Sequence, residues 1–169
     1  MRKSGIRLLV IIHLFASVLS VGCAKIRPIW GNIANSTGPD NKSASSLEQT
    51  RIRYSCTRNS TYFNIEKSEL TPEMVSPGSR IKHVLRYAFC APAESAKVQG
   101  ILTRKIKYKG KEVKISNNSD TEIFKPGTWT IHADIVVPDD APNGSYLLES
   151  IIRFNNSTIK RTSKFIVRK

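Results

Sequence analysis

The chain of 169 residues carries 27 lysines and arginines against 13 aspartates and glutamates, a formal net charge of +14, and three cysteines. That length holds one domain after a leader, and the apolar run of 12 residues from Leu8 to Leu19 is shorter than the roughly 20 that a membrane-spanning helix needs. Such a positive excess in a cytosolic protein points to nucleic acid. In an exported chain the polyanions are instead lipid head groups, lipopolysaccharide, cell-wall polymers or acidic polysaccharides, and no nucleic acid is expected.

Export is the expectation from the first 22 residues. Arg2, Lys3 and Arg7 precede the run Leu8–Leu19, broken only by His13 and Ser17, and Ser20, Val21 and Gly22 lead into Cys23. This is the order of a secretory signal, removed before Cys23. The stretch Leu19-Ser20-Val21-Gly22-Cys23 resembles the lipobox of bacterial lipoproteins. The resemblance implies a lipid on the Cys23 sulfur and a mature chain that begins there, anchored to a membrane of the cell envelope. Ser20 stands where the family prefers Leu, and Ser20 with Gly22 also suits an ordinary cleavage site. That alternative releases a secreted protein starting at the same residue.

Residues 23–50 read as the lipid-attachment cysteine and a flexible tether, because Gly31 to Ser43 is rich in turn formers and has no sustained period. Trp30, between Ile29 and Ile33, either dips into the membrane interface or packs on the domain. The domain is expected over 51–169. Its first strand is Arg51–Thr57, with Ile52, Tyr54 and Cys56 on one face, and a second is Thr61–Ile65. Lys67–Met74 offers one helical turn, capped by Ser68 and favoured by Glu69 and Glu73. Pro77-Gly78 suits a type II turn before the long alternating strand Arg80–Cys90. Gln99–Lys109 and Lys111–Ile115 flank a hairpin signal at Lys109-Gly110-Lys111. Pro126-Gly127 opens Thr128–Val137, where Trp129, Ile131, Ala133, Ile135 and Val137 share a face. Tyr146, Leu148, Ile152 and Phe154 mark the next strand, and Thr158–Val167 is the last, with Ile159, Phe165 and Val167 inward. Period two, short turn spacing and no helical period predict an all-β fold of two packed antiparallel sheets.

Lys125-Pro126-Gly127-Thr128-Trp129, a strand, then Pro138-Asp139-Asp140-Ala141-Pro142-Asn143-Gly144-Ser145-Tyr146 and another strand resemble the closing hairpin of extracellular bacterial immunoglobulin-like modules. The likeness covers roughly residues 75–169. It implies an immunoglobulin-like β-sandwich, with Trp129 and Tyr146 inward on neighbouring strands and the tyrosine hydroxyl tied to nearby backbone. With the lipobox, the whole chain resembles a small bacterial lipoprotein carrying such a domain. The architecture hosts adhesion, carbohydrate-binding, chaperone and spacer roles, so it does not select a function.

With Cys23 lipidated, Cys56 and Cys90 remain, an even count that invites a disulfide in an oxidising compartment. Phase argues the other way. Ile81, Leu85, Tyr87 and Phe89 set the apolar face on odd positions and Cys90 is even, so a bridge needs a bulge to reset the register. Both outcomes stay open.

No residues form an expected catalytic site, metal site or cofactor site. His83 falls inward as a structural histidine, with no nucleophile motif beside it. His132 and Asp134 neighbour each other on an outward face, two ligands where a metal asks for three or four. Asp139 and Asp140 read as turn residues rather than a calcium pair. Asn-x-Ser/Thr occurs at Asn35, Asn41, Asn59, Asn117, Asn143, Asn155 and Asn156, read as turn chemistry in a bacterial chain and as glycan acceptors in a eukaryotic one. The basic residues are better organised. Lys105, Lys107 and Lys109 alternate onto one strand face, and Lys160, Lys164 and Arg168 onto another. If the two strands share a sheet, they build a cationic surface for an anionic envelope polymer, an envelope protein or a membrane; otherwise they are solvated or protect strand edges. The expectation is a non-enzymatic envelope-anchored binding or scaffolding module. Its alternative is a hydrolase or accessory domain acting on cell-envelope polymers, which requires a cleft lined by acids or a His-centred triad.

Overall fold

A computed structural model describes residues 43–113 and 119–169, with the backbone of Ala34–Asn35. The expected leader, Cys23 and Trp30 lie outside the described residues. The elements in chain order are β1 (Ala34–Asn35), β2 (Ser43–Ser45), α1 (Leu47–Tyr54), β3 (Tyr62–Thr71), β4 (Met74–Val75) and β5 (Arg80–Cys90). They continue with β6 (Val98–Tyr108), β7 (Lys111–Glu112), β8 (Ser119–Phe124), β9 (Gly127–Val136), β10 (Gly144–Phe154) and β11 (Ser157–Val167). One sheet has the order β1-β9-β5-β3, with β2 also on β9; the other has the order β4-β11-β10-β6-β7, with β8 also on β6. The protein is mostly β, two sheets packed face to face. Among the described residues every pairing is antiparallel except β4 with β11.

Alternation works as expected along β5, where Ile81, Leu85, Tyr87 and Phe89 point into the core. Ser76-Pro77-Gly78-Ser79 makes the expected turn before it: Ser79 N–H donates to Ser76 O at 3.2 Å, and Gly78 has φ +78, which a type II turn asks of its third residue.

Three expectations are corrected. Arg51–Thr57 is not a strand. Its first residues belong to α1, which begins earlier at a capping box: Gln49 N–H donates to Ser46 Oγ at 3.3 Å, and Ser46 N–H to Gln49 Oε1 at 3.2 Å. Ile52, counted as inward, is 74% exposed, and Leu47 and Thr50 face the protein instead. Because β2 and α1 pack on the first sheet, the fold takes up residues expected in the tether. Secondly, Lys67–Met74 is not a helical turn, because β3 runs on to Thr71. A register shift between Ile65 and Lys67 breaks the period of two and turns Ser68 and Leu70, rather than the odd positions, toward the interior. Thirdly, Trp129 and Tyr146 lie on strands of different sheets, β9 and β10, so Pro138–Asn143 crosses between the layers and closes no hairpin. Tyr146 is fully inward and its hydroxyl donates to Pro142 O at 2.8 Å, as expected. Trp129 is only half-buried, its Nε1–H donating to Pro126 O at 2.9 Å.

Cys56 and Cys90 are bridged, with Cα atoms 6.5 Å apart. No bulge in β5 was needed. Cys90 keeps its even phase, but α1 lies against the outer face of β5 and β9, where Thr50 Oγ1 meets Thr128 Oγ1 at 3.1 Å. That cover buries Ala88, Cys90 and Thr128, and Cys56, just past the helix, reaches Cys90 from outside the sandwich.

Candidate functional site

Because β6 and β11 flank β10, their outward residues fall on one sheet face. Lys107, Leu147 and Lys164 are in register across the three strands, as are Lys105, Glu149 and Thr162, and then Thr103, Ile151 and Lys160. The lysines predicted on two strands therefore meet on a single surface.

The surface is less cationic than the lysine count alone suggests. Glu149, which the sequence reading left aside, lies among them: its Oε1 is 3.0 Å from Lys107 Nζ and 3.5 Å from Lys160 Nζ. The hydrogen bond from Lys107 holds the Glu149 carboxyl below the usual carboxylate range, helped by the charges of both lysines and opposed by burial. Lys105 Nζ is 2.8 Å from Glu112 Oε2. Lys109 is a correction: it has φ +49 in the β6–β7 turn, and its Nζ sits 5.2 Å from the Tyr108 ring centroid rather than on the strand face. Lys164 and Arg168 have no carboxylate partner among the described residues. Positive charge without a carboxylate partner on this face thus lies at Lys164 and Arg168, with Arg153 at the opposite end of β10.

The interior holds a second constellation. Arg104, inward on β6 between Leu102 and Ile106, is fully buried, and so is His83 on the facing sheet. Arg104 Nε–H donates to His83 Nδ1 at 3.2 Å, and Arg104 Nη1 is 3.2 Å from Asp120 Oδ2 on β8. His83 Nε2 lies 3.0 Å from Ser68 Oγ and 3.3 Å from Ser150 Oγ. Ser163 Oγ in turn donates to Ser68 O at 2.6 Å and lies 2.7 Å from Ser68 Oγ. These groups separate two apolar clusters, one around Ile81, Ile106, Tyr146 and Phe165, the other around Phe63, Leu85, Leu102 and Phe154.

The chemistry of this layer is structural. With Nδ1 accepting from Arg104, the neutral imidazole carries its proton on Nε2 and cannot take one from Ser68 or Ser150. Burial first, then the Arg104 charge, pushes the His83 pKa down to about 3. Burial lowers Arg104 to about 10 against the opposing pull of Asp120 and Glu122, and it raises the Glu122 carboxyl. Sequence reading placed His83 inward but missed Arg104, although its even position between inward Leu102 and Ile106 carried the signal.

His132 and Asp134 are half-buried on the outer face of β9, and Asp139 and Asp140 are exposed in the crossing loop. No group of three or more His, Cys, Asp or Glu among the described residues could hold a metal ion. Asn59, Asn143, Asn155 and Asn156 are exposed; the side chain of Asn35, and Asn41 and Asn117 altogether, lie outside the described residues.

No protein-family model and no curated protein matches the chain. Among solved structures, a family 123 glycoside hydrolase from Clostridium perfringens is similar at 11% identity and a TM-score of 0.47, over 82% of this chain and 28% of that one. Spo0M, a sporulation control protein from Bacillus subtilis, is similar at 10% identity and 0.45, over 63% of this chain and 49% of that one. The alkylpurine DNA glycosylase AlkC from Pseudomonas fluorescens, bound to DNA with an abasic site analog, follows at 18% and 0.44, over 63% and 30%. The chain spans less than half of each of these proteins, and the similarity concerns the β-rich two-sheet architecture alone.

Proposed function

We propose that this chain is a non-enzymatic binding or scaffolding module of the cell envelope, held outside the cytoplasm by a lipid on Cys23, that engages anionic envelope material through the outer face of β6, β10 and β11. One observation carries the reading: strand order brings Lys105, Lys107, Lys160 and Lys164 onto one face, beside Arg168, with Glu112 paired to Lys105 and Glu149 to Lys107 and Lys160. The Cys56–Cys90 bridge supports an oxidising compartment. The orders β9-β5-β3 and β11-β10-β6-β8, with Tyr146 tying its corner to Pro142, support an immunoglobulin-like arrangement of the sandwich. The burial of His83 and its protonated Nε2 favour this reading over the hydrolase alternative.

Two measurements test it. Replacing Lys107, Lys164 and Arg168 with Gln should weaken binding to acidic polysaccharide or anionic vesicles, and that binding should fall steeply with salt, since exposed charges are screened beyond a Debye length of about 8 Å. Cys23→Ser should move the chain from the membrane pellet to the soluble fraction. A protein that ignores every polyanion at low salt removes the binding claim; a Cys23→Ser chain that stays in the pellet with its leader removed ends the lipid anchor.

A further inference from the structure

The outer face of β6, β10 and β11 exposes aliphatic groups at both ends, and the density of cations distinguishes the two. At one end Ile101 and Ile123 neighbour Gln99 and Thr121, with the exposed Arg153 in register with Ile101. At the other, Leu147, 40% exposed, stands between Lys107 and Lys164. The next outward row pairs Ile166 with Met74, which is 50% exposed. Beyond it, Met74, Val75, Ser76, Arg168 and Lys169 line an open hollow of about 340 Å³.

We propose that this basic end docks flat on an anionic lipid bilayer, with Leu147, Ile166 and Met74 entering the interface while Lys164, Arg168 and Lys169 meet head-group phosphates. The proposal rests on the reading of this face as a binding surface and narrows its partner to the membrane. A charged polymer rewards the cations alone and leaves Leu147 and Met74 in water. A bilayer takes both, because aliphatic burial and attraction to anionic head groups add in interfacial binding. The carboxylates near the patch are Glu149, engaged by Lys107 and Lys160, Glu112, engaged by Lys105, the exposed Glu73 beside Met74, and the exposed Asp139 and Asp140 in the loop that packs on Gly78 and meets Lys169 through Asn143. Lysine stems flanking Leu147 extend the apolar surface while keeping their ammonium groups at the phosphates.

The test uses the chain with Cys23→Ser, so that no acyl anchor contributes, and sedimentation with phosphatidylcholine vesicles with or without phosphatidylglycerol. Binding should require phosphatidylglycerol and fade with salt. Leu147→Ser with Met74→Ser should weaken it about tenfold, the loss expected from leaving two part-exposed aliphatic side chains out of the interface, while binding of dextran sulfate is unchanged. Lys164→Gln with Arg168→Gln should weaken both, and Ile123→Ser neither. Dextran sulfate binding without vesicle binding, or vesicle binding indifferent to Leu147 and Met74, overturns the inference and leaves the anionic-surface reading standing. Binding to neither overturns both.

Discussion

Arg104 Nε–H donates to His83 Nδ1 at 3.2 Å across the interior, joining β6 of one sheet to β5 of the other. Both side chains are fully buried, in a layer that also holds Ser68 and Ser150. A buried guanidinium is costly to desolvate, and Asp120 Oδ2 lies 3.2 Å from Arg104 Nη1. The layer therefore adds less to stability than an apolar one would, but it fixes how the sheets sit, since only one register brings these donors and acceptors together.

Stability should fall as pH drops below neutrality. An unfolded histidine protonates near 6.5, whereas folded His83 stays neutral until about 3. Between those values the unfolded chain holds the extra proton, so stability is lost at up to about 1.4 kcal/mol per pH unit and is fully present above 6.5. Urea titrations at pH 7 and 5 should differ by about 2 kcal/mol. His83→Gln should flatten that dependence at some cost in absolute stability; an unchanged slope would place the titration elsewhere.

Reduction of Cys56–Cys90 should destabilise the domain substantially. The bridge spans a sequence separation of 34, for which loop-closure entropy predicts about 3–4 kcal/mol. A double Cys56→Ala, Cys90→Ala variant should reproduce most of that loss by urea titration. It should also raise hydrogen exchange in α1, which the bridge holds on the sheet. Unaltered exchange there would mean that packing of Leu47 and Thr50 alone secures the helix.

Tyr146→Phe should cost about 1 kcal/mol through loss of the hydrogen bond to Pro142 O. The ring stays in its stack between Tyr108, at 4.6 Å, and Phe165, at 5.3 Å. Tyr146→Ala should cost about 3–5 kcal/mol as a buried aromatic truncation. A ratio near one between the two losses would show that the hydroxyl, not the ring, secures the corner.

Glu149→Gln should strengthen polyanion binding. Removing the carboxylate releases Lys107 and Lys160 from their shared partner. Each freed cation near an anionic surface is worth about 1 kcal/mol, so with both released affinity should rise up to about thirtyfold, with a steeper salt dependence. Unfolding free energy should fall by about 1 kcal/mol, as for a partly buried ion pair. Unchanged affinity would show that the ligand does not reach this row.

Local pattern alone determined much of this protein. The alternation from Ile81 to Phe89, the turn at Pro77-Gly78 and the inward Tyr146 were legible because side-chain direction in a strand and φ at a glycine depend on a few neighbouring residues. The capping box at Ser46-x-x-Gln49 was equally local, yet the alternation of Ile52, Tyr54 and Cys56 concealed it. Tertiary structure decided the rest. Trp129 and Tyr146 went to different sheets because strand partners are chosen by non-local pairing, which no period encodes. Cys90 found Cys56 because a helix from outside the strand pattern covers the outer face of β5. Lys107 and Lys160 became partners of Glu149 only when β10 came between β6 and β11. A strand's sequence sets which side chains share a face; what lies opposite that face is set by the packing of the whole chain.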